Sequence, residues 1–508
     1  MAEQIVSPGV FQRETDQSFI TPSPVEVGAA IVGPTVRGPI EQPTVVSSFA
    51  DYKNKFGTTF VSASENLEFL TSIAVQKFFS NGGNSMLVTR VGSGSFTTAT
   101  STHVSASDAA STTPFILETL GKGDLLNNST AVTDGGQQFS DGSLTTGSKD
   151  NLRWEISGVN NTAGTFNLSI RRGDDNLTDK IILETFVGCS LDPKADNYIS
   201  KVVGDQYGAS TTMEGQTSIR INGDYPNKSK FVRVSSVSLP TSDYFLNDGS
   251  VGKRGVGGTN YSGSLPIAQS GSFYGATGNN IPTGEALLTF ENIASGNTQG
   301  LAATDYTTAL NILKNKDEYR FATLTTPGAY NADYGSTVAA AIELCEVRGD
   351  CFYIADMVGY DSTVALVNAE ANELNTNFAG TYWPWVKVPS TELSRNVWAP
   401  ASTVMQGVYA ANDRVAAPWF APAGLNRGGL PIVRTEFKVT QALRDTLYDN
   451  KVNPIATFPR VGPVAYGQKT LQKKMSALDR INVRRLLISL KNFIGDTSKQ
   501  LVFEQNTT

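Results

Sequence analysis

Few strings in this chain carry residue types at spacings that could do chemistry. The best is Gly462-Pro-Val-Ala-Tyr-Gly467-Gln468-Lys469-Thr470, close to a loop whose successive backbone N–H groups wrap a phosphate while a lysine reaches its outer oxygens. Gln468 stands between glycine and lysine, and Pro463 has no N–H to give, so the string is read as a turn. Gly252-Lys-Arg-Gly255-Val-Gly257 is glycine-rich at the wrong spacing for a dinucleotide fingerprint and reads as a flexible loop. The one histidine, His103, sits in Ser-Thr-His-Val-Ser and is expected on an exposed loop or edge strand. A Ser-His-Asp triad or a two-histidine zinc site has little to draw on. Cys189, Cys345 and Cys351 match neither a redox nor a zinc spacing and are expected as reduced thiols made in a cytoplasm. Asp174-Asp175 and Gly349-Asp350 read as turns. Asp356 follows the strand Phe352-Tyr353-Ile354-Ala355, where α/β enzymes place ligands; standing alone, it reads as a cap. Tyr382-Trp383-Pro384-Trp385 could stack on a ligand but reads as core or interface packing. The expectation is no catalytic residue, no metal and no cofactor.

The elements that would position such residues follow from length and pattern. With 508 residues, two to four domains are expected. At 40% hydrophobic and 17% charged, against roughly a quarter charged in an average domain, the chain is expected to fold. No run of 18 apolar residues is present to span a bilayer, and the first residues lack the pattern of a secretory signal. Pro8, Gly9, Pro22 and Pro24 break residues 1–24 into an extended arm. From Val25 the pattern becomes globular: a strand at Val27 to Val32, a helix capped by Ser64 with Leu67, Leu70, Ala74 and Phe78 on one face, and a strand at Ser85 to Val91. Residues 92–288 are dominated by Ser, Thr, Gly, Asn and Asp. Their short alternating runs, Phe166–Ile170, Lys180–Glu184 and Phe231–Val234, predict antiparallel β structure. Helix and strand then alternate again: Tyr306–Leu313, Phe321–Leu324, Val338–Cys345 and Cys351–Ala355. The fold class is therefore α/β plus β. A discontinuous α/β domain (25–91 and 289–420) is interrupted by one or two inserted β-rich domains (92–288).

Of the chain's 41 basic and 47 acidic residues, 14 and 6 lie in residues 421–508, a net +8. Residues 1–420 keep 27 basic and 41 acidic ones, a net −14. Such polarity speaks about partners. A helix is expected after Ser476 and Asp479, which have capping-box spacing, with Gly495 past its end. Val483, Leu487, Leu490 and Ile494 form its apolar stripe, widened by Leu486 and Phe493. Arg480, Arg484 and Lys491 flank that stripe, with Lys473 and Lys474 before it. Residues 421–508 are expected as a separate, basic α+β domain. No DNA-binding motif accompanies the charge.

The chain resembles the contractile tail sheath proteins of tailed bacteriophages, of the long T4-like type. The resemblance rests on Trp419 to Gly428, Leu447 to Ile455, Tyr466-Gly467-Gln-Lys469-Thr470 and Asp479-Arg480-Ile481-Asn482-Val483-Arg484-Arg485-Leu486. Ser7-Pro8-Gly9-Val10 with Glu14, and Phe78-Phe79 to Gly83, look similar at the other end. The resemblance implies a structural subunit without catalysis, polymerising as stacked hexameric rings around a tail tube and contracting to drive it through a host envelope. It implies a tube protein, baseplate and tail terminator as partners, no direct nucleic acid, and a place in the virion after assembly in a host cytoplasm. The inner basic surface would be Lys473, Lys474, Arg480, Arg484, Arg485 and Lys491. The arm residues Val10, Phe11, Glu14 and Phe19 would add a strand to a neighbouring subunit. Sheath chains of this type continue well past the string matching Leu501-Val502-Phe503-Glu504, so an incomplete inner domain and a mainly monomeric 508-residue form are expected. The alternatives are the sheath of a bacterial contractile injection system, an α/β enzyme with a β-rich insertion, and a cell-surface adhesin.

Overall fold

The computed structural model describes residues 25–62, 65–101, 113–126, 139–238, 241, 244–245, 251–252, 265–278 and 299–503. The arm residues Val10, Phe11, Glu14 and Phe19, together with Ser64, His103 and most of the glycine-rich loop at 252–257, lie outside them. The largest sheet has eight strands: β1 (Val25–Gly33), β2 (Thr44–Val46), β3 (Met86–Arg90), β4 (Tyr319–Tyr330), β5 (Phe352–Asp356), β6 (Ala379–Trp383), β7 (Val452–Phe458) and β8 (Gly462–Ala465). Their spatial order is β2-β3-β1-β4-β5-β6-β7-β8. The six inner strands are parallel, and β2 and β8 are antiparallel at the two edges.

A parallel sheet covered on both faces needs apolar residues at successive positions, because alternate side chains point to opposite faces. β1 meets this need: Ala30 and Val32 enter the core on one face, Ala29 and Ile31 on the other. β5 repeats it, with Tyr353 and Ala355 against Phe352 and Ile354. The helices packed on this sheet are α1 (Phe49–Phe56), α2 (Leu70–Ser80), α3 (Thr307–Leu313), α4 (Asn331–Arg348), α5 (Val364–Glu373), α6 (Ser402–Val415), α7 (Gln441–Asp449) and α8 (Ile481–Ser498). Leu310, Val338, Val367 and Leu447 place α3, α4, α5 and α7 on one face. Tyr52, Ile73, Val404 and Ile481 place α1, α2, α6 and α8 on the other.

The helix expected from Ser64 begins six residues later. Leu67 belongs instead to a hairpin strand, Glu65–Glu68, and α2 starts at Leu70, whose N–H is taken by Gln299 Oε1 at 2.9 Å. The apolar period ran across the junction because Leu67 packs in a small core of its own with Phe60 and Phe69.

Between β3 and α3 lies a second unit with its own core around Trp154, Phe166, Leu168 and Phe273. Its main sheet has seven antiparallel strands, including Leu152–Asn160, Thr165–Arg172 and Ile182–Ser190. It is joined at the carboxyl end of β3. There Arg90, 1% exposed, donates to Gly38 O (2.7 Å) in the body and to Lys122 O (2.6 Å) in the inserted unit.

One expectation is corrected. Residues 421–508 do not form a separate domain, because β7 pairs in parallel with β6 (Thr381↔Val452) and β8 closes the edge of the large sheet. Val452 joins the core on one face and Ile455 the core on the other, so this segment completes the α/β body.

Candidate functional site: a basic cluster at the amino ends of the sheet

The C-terminal charge is distributed by one buried asparagine. Asn453, near the amino end of β7, is fully buried. Its Nδ2 donates to Thr381 O (3.0 Å) and Lys469 O (2.8 Å), and its Oδ1 accepts from Lys469 N (2.6 Å). A Cβ at Gly467 would lie 2.7 Å from Asn453 Oδ1, which explains a glycine in the Tyr466-Gly467 pair. The string that resembled a phosphate loop is thus strand β8 followed by a loop seated on β7. No helix begins where one would have to receive a phosphate.

This seating brings four cations together. Lys469 Nζ donates to Tyr448 O (2.8 Å) and lies 4.2 Å from the Tyr448 ring centre. Arg480 donates to the Tyr448 hydroxyl, held beside Lys469 by a bridge between the two backbones. Lys451, left-handed at φ 67°, donates to Asn372 Oδ1 (2.8 Å). The Lys473 backbone is fixed by Asn375 Oδ1 (2.9 Å). Burial, then the charges of Lys473 and Lys469, depress the Lys451 ammonium. Burial, then Arg480, depresses Lys469 against an upward pull from Asp449 and Asp479. Arg480 pairs with Asp479 (3.3 Å), yet cations outnumber the acids beside them, an excess that favours an acidic partner. The sequence pointed to Lys473 and Arg480 but missed Lys451 and Lys469, which are distant along the chain and meet only through β7.

Two of the expected surface residues are corrected. Arg484 and Arg485 are 4% and 3% exposed. The Arg484 guanidinium lies 3.9 Å from the Phe378 ring centre and donates to Asn377 Oδ1 (3.1 Å). Arg485 pairs with Asp413 of α6 and lies 4.8 Å from the Tyr409 ring centre. Together with Ile481 and Ile488 they form the buried face of α8, so these arginines clamp the helix to the body. Of the expected apolar stripe, Val483, Leu486 and Leu487 are half-buried, whereas Leu490, Phe493 and Ile494, on the second half of α8, are exposed, Phe493 by 70%. Gly495 lies inside α8 instead of beyond it. Lys491 is apart from the Tyr448 cluster, on a groove of about 690 Å³ with Lys316, Arg320 and Asp496. Lys474 is exposed next to Lys473.

At the other end of the strands, Asp356 is buried and accepts from the N–H and hydroxyl of Ser402, at the start of α6. Burial pushes its carboxyl up to about 7. It caps a helix, as its sequence context suggested, although a helix distant in sequence. Trp383 and Trp385 are core residues, with Trp385 Nε1 donating to Val358 O (3.0 Å).

No family model matches the chain. Over 162 residues it is 36% identical to the tail sheath protein of Vibrio phage KVP40, which covers 30% of this chain and 24% of that protein. Over 112 residues it is 42% identical to the tail sheath protein of Enterobacteria phage T4, covering 22% and 17%. The matches therefore span about a quarter or less of the length of these curated relatives. The sheath tail protein Lin1278 from Listeria innocua superposes over 94% of this chain and 80% of its own, with TM-score 0.52 and 10% identity, a likeness of fold alone. The resemblance to T4-like tail sheath proteins is borne out by the curated relatives.

Proposed function

We propose that this chain is the structural subunit of a contractile phage tail sheath, without catalysis or a cofactor of its own. The match at 42% identity to a tail sheath protein carries the reading. In it, subunits stack as hexameric rings around a tail tube and shorten along it, with a baseplate at one end and a terminator at the other. The sheath of a bacterial contractile injection system would use the same geometry.

The charge layout supports an inside and an outside. Lys451, Lys469, Lys473 and Arg480 gather at the amino ends of β6 and β7, and the inserted unit is attached at the carboxyl end of β3. Because those strands are parallel, the two features belong to opposite ends of the sheet. We assign the basic cluster to an acidic stretch of the tube and residues 92–288 to the outside. Contacts between charges slide and release at less cost than a dry apolar interface. The exposed face of α8, with Leu490, Phe493 and Ile494, is assigned to packing against a second copy. The arm with Val10, Phe11, Glu14 and Phe19, leaving the sheet at the amino end of β1, is assigned to strand addition on a neighbour.

Electron microscopy of the purified chain mixed with its tube protein tests the cluster. The expected result is decorated tubes for the natural chain. With Lys451→Glu and Lys473→Glu together, decoration is lost while the far-UV dichroism stays that of the folded subunit. Tubes decorated equally by the folded charge-reversed chain would assign the tube contact elsewhere.

A further inference from the structure

We propose that Cys345 and Cys351 are an oxidative modification site, at which hydrogen peroxide converts a buried thiol pair into a disulfide joining the last turn of α4 to the start of β5. The two sulfurs lie 3.3 Å apart, both side chains fully buried and both thiols free. A disulfide needs about 2.05 Å, so the sulfurs have little more than 1 Å to travel. Their proximity is built into the turn. Gly349 adopts the left-handed conformation (φ 71°, ψ 6°) and its N–H donates to Cys345 O at 2.9 Å, which reverses the chain and lays Cys351 alongside α4. Cys189 has no such neighbour: it lies in the core of the inserted unit, with its thiol directed at Phe186 O (3.7 Å).

Small oxidants have a route. Gly349 and Asp350 are half-exposed, and with Arg348 they line the groove beneath α8. The final turn of a helix, where the last carbonyls lack intrahelical partners, is a place where local opening begins. Cys351 adjoins half-exposed Asp350 on that groove, whereas Cys345 lies within α4, so on local opening Cys351 is reached first. Its thiolate attacks one peroxide oxygen and the O–O bond breaks. The hydroxide released takes up a proton and leaves as water, and Cys351 becomes a sulfenic acid. The Cys345 sulfur then attacks the Cys351 sulfur, the S–S bond forms and the S–O bond breaks. The departing hydroxide takes the Cys345 proton as a second water. Two thiols are oxidised and one peroxide is reduced. The bond would fix the corner where Arg348, which lines the α8 groove, donates to Leu313 O (2.6 Å) and Tyr319 O (2.7 Å).

The test treats the folded chain with hydrogen peroxide, alkylates remaining thiols in denaturant, digests with trypsin and weighs the peptides. Cleavage after Arg348 separates the two cysteines, so a linked pair lighter by two hydrogens is diagnostic. The expected result is that pair, with Cys189 fully alkylated. Full alkylation of Cys345 and Cys351, or their conversion to unlinked sulfinic acids, would overturn the proposal. A second readout is thermal: Tm should rise on oxidation by on the order of 5 °C and return with reductant. The rise should be absent in Cys351→Ser; an equal rise in that variant would also overturn it. Should that variant not fold, the peptide masses of the natural chain decide alone.

Discussion

Two groups of charged side chains in this molecule obey opposite rules. In the inserted unit, Arg153 and Arg171 are fully buried, and both bind Asp175 (2.9 and 2.6 Å). Arg171 also binds Glu155 (2.9 Å), which a lysine, Lys180, shares (2.6 Å). Each of these three cations has a carboxylate. At the amino ends of the large sheet, Lys469 and Arg480 lie against Tyr448 with Lys451 and Lys473 close by, and burial together with these neighbouring charges depresses Lys451 and Lys469. The first group is internal architecture: its charges are desolvated and must be paired. The second is half-exposed or exposed and carries more cations than paired acids, which costs the isolated subunit a little and suits an acidic partner. Net charge along the sequence does not separate the two kinds; burial with pairing does.

The comparison can be broken at its strongest point. Asp175→Asn leaves two buried guanidinium groups without their shared carboxylate, and removing one partner of a buried pair costs about 3–5 kcal/mol. Urea unfolding should show that loss in the transition of the inserted unit, with the α/β body little changed. A loss below about 1 kcal/mol would mean that Asp175 behaves as a surface ion pair.

A buried carboxylate without a cation sharpens the contrast. Asp356 has Ser402 and backbone groups as its partners, and burial raises it to about 7; Glu436 is raised by burial to about 7 as well. A folded pKa above the unfolded value means that the native state binds more protons between the two. These groups therefore contribute stability that is full below about pH 4 and is lost as pH rises through about 7. Asp356→Asn should flatten that slope, read as urea midpoints from pH 4 to 8, while Glu436 retains its share. An unchanged slope would assign the pH dependence to other groups. The smallest expected effect is at the solvated cluster. Lys473→Gln removes one like charge and should leave stability within about 0.5 kcal/mol of the natural chain, while weakening binding to an acidic tube surface. A loss of 2 kcal/mol or more, well above the roughly 0–1 kcal/mol of an exposed pair, would move Lys473 into the architectural group.

The alternation of strand and helix around a β block was legible because parallel strands buried on both faces leave near-continuous apolar runs and antiparallel ones leave alternation. The runs at Val27–Val32 and Phe352–Ala355 mark β1 and β5 with little error. The candidate site was half legible. Lys473 and Arg480 stand in a short basic string, whereas Lys451 and Lys469 are joined by the carbonyl of Tyr448 and by the seating of Lys469 on Asn453.

The C-terminal helix marks the limit most clearly. Its amphipathic period is plain in the sequence, and Arg484 and Arg485 were expected on a partner-facing surface. The structure buries the two arginines beside Ile481 and Ile488. Arg484 and Arg485 find aromatic faces at Phe378 and Tyr409 and polar partners at Asn377 and Asp413, while Phe493 and Ile494 remain exposed. The sequence by itself determined that two faces of different character exist, because local periodicity sets which side chains share a side. Only the tertiary structure decided which face is buried. That choice depends on partners from the residues just before β6 and from α6, brought within reach by a sheet whose strands lie hundreds of residues apart along the chain.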